Sequence, residues 1–300
     1  MLVSIILPIY NAERFIEKAI ASVLSQSYCN FELIAIDDGS TDSSLQILER
    51  LAENDKRVKV ISRDNHGLIH TLNYGIELAK GSLVARMDAD DICEPHRIEA
   101  QVNFMADNPN VVCVGGQINL IDICGREIMQ MIMPLDHEAI DAANYSGVSH
   151  GIVHPTALMR LSALRMIGGY SSLFRHAEDI DLWLRLGEVG RLANLPILLL
   201  KYRQHIESVG YKHRFEQRYS QWKAVKAAAR RRGRSFSLAP PSKAECEVKA
   251  LSGLTEEKWA WWALKGGNLS TARYYAKRAF GKAPWRASVW MLVLCCIRGR

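Results

Sequence analysis

An acidic cluster that directly follows an apolar run is the part of this sequence most suited to chemistry. The run Leu83–Met87 is typical of a buried strand, and Asp88, Asp90 and Asp91 follow it. Side chains alternate along an extended backbone, so Asp88 and Asp90 share one side of it. Two carboxylates this close repel each other unless positive charge lies between them. The spacing therefore favours a site for Mg2+ or Mn2+, which prefer carboxylate oxygens and also bind phosphates.

The simpler interpretation of an Asp-x-Asp motif is a solvated turn, so the surrounding elements must decide between the two. Strand and helix patterns alternate through the first hundred residues. This alternation predicts an α/β fold, with a mostly parallel mixed sheet and helices on both faces. The predicted strands cover residues 3–7, 31–36, 58–61 and 83–87, and the predicted helices cover residues 12–24, 43–51, 72–79 and 95–106. Beyond these, residues 111–114 and a hairpin around residues 122–125 are expected to add strands.

Polar motifs follow three of these strands. Residues 8–13 follow the first strand, residues 37–42 the second and residues 88–91 the fourth. Right-handed crossovers place the carboxyl ends of parallel strands at one edge of the sheet, where such sheets bind ligands. An isolated Asp-Asp-Gly is usually only a turn, but three polar motifs at one edge are typical of a binding site.

These motifs resemble, in the same order, those of family 2 inverting glycosyltransferases, which have the GT-A fold. The resemblance covers roughly residues 2–210. It implies a Rossmann-like GT-A domain over residues 1–211, followed by a basic helical region over residues 212–300. The segments that carry the resemblance are residues 4–13, 21–28, 31–42, 63–67, 73–76, 79–81, 87–91, 154–156, 168–170 and 177–185.

The resemblance also implies a role for individual residues. Asp88 would contact the ribose or the metal, Asp90 would bind the metal, and Asp179 would deprotonate the acceptor hydroxyl. The implied cofactor is Mn2+ or Mg2+, and the implied donor is a nucleotide-diphosphate sugar, with UDP favoured. The residues implied to border the donor, with Asp38 at the nucleobase, are Pro8, Tyr10, Asn11, Glu13, Asp38, Arg63, Asn65, Gly67 and Asp88.

Three of the polar residues near the end of this region have competing interpretations. Asp179 could simply be a carboxylate favoured by the dipole at the start of a helix. Asp181 is expected to be structural or to form a salt bridge. His205 follows an apolar strand predicted over residues 195–202. In some relatives this segment sends a histidine or arginine to the metal or diphosphate, so His205 is a candidate third metal ligand.

The charge of the chain is unevenly divided. Residues 1–211 contain 18 Lys and Arg against 27 Asp and Glu, whereas residues 212–300 contain 20 against 5. A basic tail is typical of a solvated helix face or of a surface that contacts an anionic membrane. Nucleic-acid binding is not favoured, because no nucleic-acid-binding motif accompanies the charge.

Seven cysteines without a Cys-x-x-Cys pair argue against a disulfide framework and a structural zinc site. With no expected signal peptide or membrane span, they predict a cytoplasmic protein, peripheral at the inner face of the membrane if the tail binds lipid. The predicted function is inverting transfer of a sugar to a hydroxyl acceptor, such as a growing surface glycan or a lipid-linked saccharide. The alternatives are a nucleotidyltransferase and an inactive nucleotide-sugar-binding protein.

Overall fold

The structure is a computed structural model, and it describes residues 1–147, 151–205, 213–243 and 255–299. The strands are β1 (Val3–Ile9), β2 (Phe31–Asp38), β3 (Val58–Arg63), β4 (Leu83–Arg86), β5 (Ile92–Cys93), β6 (Val111–Ile121), β7 (Glu127–Met131), β8 (Leu158–Arg160) and β9 (Arg191–Arg203).

Helices alternate with these strands and then continue to the end of the described chain. They are α1 (Ile16–Leu24), α2 (Ser44–Asn54), α3 (Leu68–Leu78), α4 (Arg97–Asp107), α5 (His137–Tyr145), α6 (Leu161–Met166), α7 (Glu178–Val189), α8 (Arg214–Arg231), α9 (Thr255–Lys265), α10 (Leu269–Lys282) and α11 (Ala287–Arg298).

The chain forms two compact units, each assembled from three segments. The first unit contains Met1–Gln117, Met133–Leu200 and Glu216–Ala239. The second unit contains Ile118–Ile132, Lys201–Phe215 and Pro240–Arg300. Helix α8 belongs almost entirely to the first unit, although it follows residue 211. The division into domains 1–211 and 212–300 stays a prediction.

The first unit is built on a sheet whose strands follow the order β3-β2-β1-β4-β8-β6-β9-β5. Strands β3, β2, β1 and β4 run parallel, with Ile5 of β1 opposite Leu33 of β2 and Ala85 of β4. Strand β8 is antiparallel to both β4 and β6. The predicted mixed, mostly parallel α/β sheet is therefore confirmed. The carboxyl ends of β1, β2 and β4 lie at one edge, as the three polar motifs led us to expect.

The strands and helices of the first unit bury the apolar residues that their sequence patterns place on their inner faces. All eight residues of β2 are buried, as expected for a parallel strand covered on both faces. Helix α1 buries Ile16, Ile20 and Val23 along one stripe, which matches the helical period of the sequence. Trp183 of α7 is completely buried in an apolar cluster that also includes Ile6 of β1 and Val84 of β4.

Several elements extend beyond their predicted limits, and helix α3 and strand β6 show why. Helix α3 begins at Leu68 instead of Leu72, directly after Gly67, which adopts a φ of +85°. The prediction placed the start too late because Leu68 is exposed and lies outside the apolar stripe. The strand predicted over Val111–Val114 continues to Ile121, through Gly115 and Gly116. A Cβ on Gly116 would lie 2.4 Å from Cδ1 of Leu199. These glycines therefore allow close packing within the strand instead of ending it.

The second unit combines a hairpin with C-terminal helices. Strand β7 is antiparallel to the end of β6, and the amide of Asp122 donates to the carbonyl of Arg126 across the turn, which confirms the predicted hairpin. Helices α9 and α10 pack against β7. The hydroxyl of Tyr275 on α10 donates to the buried carboxylate of Asp122. No helix within the described ranges combines the length and apolarity needed to cross a bilayer.

Candidate active site

The loops after β1 and β2 are joined by reciprocal hydrogen bonds. The amide of Asn11 donates to Oγ of Ser40 at 3.0 Å, and the amide of Thr41 donates to Oδ1 of Asn11 at 2.8 Å. The amide of Ser43 donates to Oε2 of Glu13 at 2.9 Å. Asn11 adopts a φ of +51°, a conformation that asparagine tolerates better than most residues. These bonds fix the two loops relative to each other at the carboxyl edge of the sheet.

Asp38 organises the neighbouring loop after β3. Its carboxylate accepts hydrogen bonds from the side chain of Arg63 and from the amides of His66 and Gly67, the last at 2.7 Å. Burial by itself would raise the pKa of Asp38, but these hydrogen bonds outweigh it and lower the pKa. Asp38, Arg63 and Gly67 are thus brought together, with the carboxylate held ionised. Contact between Asp38 and a nucleobase stays a prediction.

The other predicted donor-side residues lie on the surface of this edge. Tyr10 has an exposed fraction of 55%, Asn65 is also exposed, and Pro8 is half-buried. Gly39 has a φ of +76°, and a Cβ there would lie 2.8 Å from the backbone nitrogen of Asn65. The loops after β2 and β3 therefore meet at Gly39, where no side chain would fit.

The acidic cluster lies immediately after β4. One carboxylate oxygen from each of Asp88, Asp90 and Asp91 lies within 4.8 Å of the others. Asp91 is buried, whereas Asp88 and Asp90 are half-buried. Three carboxylates at this spacing form a donor set of the kind that hard divalent cations bind. The residues present therefore fit the predicted metal.

Arg86, the last residue of β4, pairs with the carboxylate of Asp88 and is itself almost completely buried. The pKa of Asp88 is nevertheless raised, mainly by burial and further by the charges of Asp90 and Asp179, while Arg86 acts in the opposite direction. The Asp179 carboxylate must lie near Asp88 to have this effect. The structure thus brings Asp179 close to the acidic cluster, although β4 and α7 are far apart in sequence.

The start of α7 carries three carboxylates with different environments. Asp179 is half-buried, and its Oδ1 accepts from the amide of Ile180 at 2.8 Å. Burial, and then the nearby charge of Asp179, raise the pKa of Glu178 to about 7. Asp181 is fully buried and forms an ion pair of 2.6 Å with Arg185. The prediction that Asp181 is a salt-bridge partner is confirmed.

Sequence reasoning missed two residues beside this cluster. Arg86 could have been noticed, because it is a charged residue at the end of an otherwise apolar strand. Tyr170 lies in segment 168–170 of the family resemblance, but the resemblance assigned it no role. Its buried hydroxyl lies 2.7 Å from Nε2 of His154, and the His154 ring makes an edge contact with Trp183. Burial raises the pKa of Tyr170 strongly, against the effect of Arg86, so the hydroxyl keeps its proton.

His205 belongs to the second unit, whereas Asp88, Asp90 and Asp91 belong to the first. Its role as a metal ligand stays a prediction. Arg203, in the same unit, donates to the carbonyl of Asp122 at 2.9 Å and is buried. Arg203 therefore has a structural role in the second unit.

Curated relatives identify the family to which this fold and site belong. The family described as Glycosyl transferase family 2 matches residues 4–168. The putative glycosyltransferase EpsE of Bacillus subtilis is 38% identical over 217 residues, which cover 71% of this chain and 76% of that protein. The O-antigen biosynthesis glycosyltransferase WbnJ of Escherichia coli is 33% identical over 211 residues, covering 69% and 81%.

Solved structures show the same fold at lower identity. The crystal structure of S. aureus TarS 1–349 in complex with UDP-GlcNAc has a TM-score of 0.63 at 18% identity, covering 100% of this chain and 93% of that one. The mannosyltransferase PcManGT from Pyrobaculum calidifontis, in complex with GDP-Man and Mn2+, has a TM-score of 0.55 at 18% identity, covering 99% and 85%. The fold is thus that of GT-A proteins. Since the family match also spans more than half of the sequence, the chain belongs to glycosyl transferase family 2.

Proposed function

We propose that this glycosyltransferase moves a sugar from a nucleotide-diphosphate sugar to an acceptor hydroxyl, with inversion at the anomeric carbon. The observation that carries this proposal is the cluster of Asp88, Asp90 and Asp91 after β4, where the charge of Asp179 acts on Asp88 and raises its pKa further. Displacement with inversion needs a base for the acceptor and a site for the leaving group, and these two sets of carboxylates supply both. Membership of the family favours sugar transfer over nucleotidyl transfer.

In this proposal, Asp88, Asp90 and Asp91 would hold the divalent cation. When bound, the cation neutralises negative charge on the departing nucleoside diphosphate. The carboxylate of Asp88 already forms an ion pair with Arg86, so Asp90 is proposed as the principal metal ligand. The cation in the complex of the Pyrobaculum calidifontis mannosyltransferase is Mn2+, which supports Mn2+ or Mg2+ here. His205 remains the proposed additional ligand.

The donor would bind along the loops after β1, β2 and β3. Their mutual hydrogen bonds hold these loops in place before a ligand arrives, which reduces the cost of ordering them. The donor in the TarS complex is UDP-GlcNAc, which supports UDP as the nucleotide. The residues proposed to border the donor are Pro8, Tyr10, Asn11, Glu13, Asp38, Arg63, Asn65, Gly67 and Asp88.

Asp179 is the proposed base, and its carboxylate would receive the proton of the acceptor hydroxyl as that oxygen attacks. The acceptor is proposed to be a growing surface glycan or a lipid-linked saccharide, in keeping with the O-antigen biosynthesis relative. Tyr170, which stays protonated, lies near Asp179. Because the Tyr170 hydroxyl is protonated, it is not a base itself, and the Asp179 carboxylate is the group that would accept the proton.

A donor screen tests the proposal. The full chain is assayed with UDP-, GDP- and dTDP-sugars, with Mn2+ or with a chelator, and the anomeric configuration of the product is read by NMR. We expect Asp179→Asn to reduce kcat by about 100-fold or more with little change in donor KM. We expect Asp90→Asn to raise donor KM and weaken the dependence on the cation.

The matched control is Asp107→Asn, since Asp107 is an exposed carboxylate at the end of α4. It should behave like the unchanged protein. A retained configuration would refute the inverting mechanism. Full activity of the Asp179 variant, or activity unaffected by the chelator, would refute the assignment of the base or of the cation.

A further inference from the structure

Helix α11 carries two apolar stripes on opposite sides. One is buried, and the other is largely exposed, although its Trp290 ring also makes an edge contact with Phe280 of α10. The buried stripe packs within the second unit and consists of Val289, Leu292 and Cys296. The other stripe has exposed fractions between 50% and 68% and consists of Trp290, Met291, Leu294 and Ile297. The spacing of this exposed stripe places its side chains on one side of the helix.

All charged residues of α10 and α11 are basic. Residues 269–298, which include α10 and α11, contain six Lys or Arg and no Asp or Glu. The outward positions of α10 carry Arg273, Lys277, Arg278 and Lys282. The side chain of Arg273 donates to the carbonyl of Cys296, so this basic row lies beside α11. Lys282 pairs with Glu256 on α9, whereas the others add to a positive surface.

Tryptophan occurs at the start of the stripe. Trp285, directly before α11, has an exposed fraction of 79%. The ring nitrogen of Trp290 donates to the carbonyl of Pro284 at 2.7 Å. Its polar atom is therefore satisfied by the protein, and the exposed part of the ring is apolar. Tryptophan is enriched at the level of lipid headgroups, because its ring is amphipathic.

We propose that the exposed stripe of α11 and the basic row of α10 form a docking surface for an anionic lipid bilayer. The apolar side chains would enter the boundary between headgroups and acyl chains, about 5–10 Å deep, with the helix in the plane of the interface. The basic side chains would be attracted to anionic headgroups. With 12 residues, α11 is far too short to cross the bilayer.

A second copy of the chain is disfavoured as the occupant of this surface. A symmetric dimer places the same patch of both subunits together. Lys282 and Arg286 pair with Glu256 and Glu257 of α9, but the other basic side chains of the patch would face the same side chains of the second copy. These are Arg273, Lys277, Arg278 and Arg298, and residues 269–298 contain no acidic side chain to offset them. Juxtaposed like charges oppose association. A bilayer with anionic headgroups above an apolar interior matches both the basic row of α10 and the exposed apolar stripe of α11.

Vesicle co-sedimentation of the full chain tests the proposal, with vesicles of phosphatidylcholine alone or mixed with phosphatidylglycerol. We expect binding to the anionic vesicles only, and weaker binding at high salt. Leu294→Glu should weaken binding about tenfold or more, because it places a carboxylate where the helix meets the acyl chains. Lys277→Glu should weaken binding several-fold by removing one favourable charge and adding an unfavourable one.

The matched control is Met166→Glu, since Met166 has an exposed fraction of 73% and lies on α6 in the first unit. It should bind vesicles like the unchanged chain. Circular dichroism and sugar transfer to a soluble acceptor verify that each variant is folded. Because these variants lie outside the proposed catalytic residues, loss of vesicle binding with transfer intact would support the docking surface independently of the proposed mechanism.

Three results would overturn the proposal. The first is an absence of binding to anionic vesicles by the unchanged chain. The second is equal binding by the Leu294 and Met166 variants. The third is dimerisation of the unchanged chain that Leu294→Glu abolishes, measured by sedimentation equilibrium, together with no vesicle binding. That result would identify the stripe as an interface between copies.

Discussion

Arg86 is nearly inaccessible to water and lies beside a group of carboxylates whose charges repel one another. Removing it would leave the half-buried Asp88 carboxylate without its ion-pair partner. We expect Arg86→Met to lower the free energy of unfolding by about 2–3 kcal/mol, less than the ~3–5 kcal/mol typical of a fully buried pair, since Asp88 is only partly buried. Urea denaturation without added metal measures this change.

The comparison for this variant is Arg50→Met. Arg50 pairs with Glu17 at 2.8 Å, but both side chains are more than half exposed. Exposed pairs contribute little to stability, so its free energy of unfolding should change by less than about 0.5 kcal/mol. Equal effects of the two substitutions would show that Arg86 has no special role in balancing the charge of the cluster.

Glu178 should make stability depend on pH near neutrality. Burial and the Asp179 charge raise its pKa from 4.5 to about 7 in the folded protein. Between these two values the folded state holds a proton that the unfolded state has lost, so stability falls as pH rises. We expect Glu178→Gln to raise the melting temperature at pH 8 and to have little effect near pH 4. Thermal unfolding in a chelating buffer measures this, and a pH-independent effect would contradict it.

Sequence and structure agree best where a residue's type already limits its role. Asp88 and Asp90 were singled out because paired carboxylates directly after a strand are chemically distinctive, whereas Asp179 was singled out by the resemblance to the family. The effect of the Asp179 charge on Asp88 could not be derived from spacing, because it depends on where the fold places the start of α7 relative to the end of β4. Arg86 and Tyr170 were missed because their importance comes from burial beside those carboxylates, which no local pattern records.

Gly39 links two loops, and its substitution tests how closely they must pack. Alanine there would adopt an unfavourable positive φ and would also meet the backbone nitrogen of Asn65. Gly125 has a similar φ of +85°, but a Cβ there has no neighbour within 4 Å. We expect Gly125→Ala to cost about 1 kcal/mol of unfolding free energy and Gly39→Ala distinctly more.

The same pair of variants separates stability from donor binding. If the loops after β2 and β3 border the donor, Gly39→Ala should also raise donor KM, whereas Gly125→Ala should leave it unchanged. Denaturation curves and donor saturation curves are the measurements. An unchanged donor KM in a folded Gly39 variant would argue against the donor lying along these loops.

The elements of the parallel half of the sheet could be predicted from periodicity, because each is a short apolar run or an amphipathic stripe. Their limits were less predictable. The glycine pair in β6 resembled the end of a strand. The residue that packs closely against Gly116 is Leu199, which is remote in sequence, so the local pattern did not show why glycine is needed there. The start of α3 was obscured by an exposed leucine, which contributes nothing to the apolar stripe that marks a helix.

At the scale of the whole molecule, the second unit depends on contacts between distant segments. The bond from Tyr275 to Asp122 joins α10 to the hairpin, and it helps to lower the pKa of Asp122 against the opposing effect of burial. We expect Tyr275→Phe to reduce the free energy of unfolding by about 1–2 kcal/mol at neutral pH. The exposed neighbour gives the control, Tyr274→Phe, which should change stability by less than about 0.5 kcal/mol.

The sign of the pH effect follows from the direction of the Asp122 shift. A carboxylate with a lowered pKa stabilises the folded state above its unfolded pKa, and this contribution is lost as pH falls through its folded pKa. The difference between Tyr275→Phe and the unchanged chain should therefore shrink toward acid pH. Urea denaturation at a series of pH values measures it, and a constant difference would contradict the argument.

The α/β class could be predicted because alternating strand and helix patterns permit few arrangements. The two-unit organisation could not, because the second unit is assembled from the β6–β7 hairpin, the end of β9 and the C-terminal helices. Its stabilising contacts, such as Tyr275 with Asp122, join residues that have no shared pattern in the sequence. Charge counting separates a basic tail from an acidic body, but only the burial pattern of α11 distinguishes its buried stripe from its exposed one.

The hydrogen bonds between the loops after β1 and β2 have a consequence for engineering donor preference. Each loop satisfies backbone amides of the other, through Asn11 with Thr41 and through Glu13 with Ser43. Grafting one loop from a relative would remove partners that the remaining loop needs, whatever the grafted residues do with a donor. Chimeras should therefore exchange the two loops together, and libraries that vary Asn11 or Glu13 should vary their partners in the same clones.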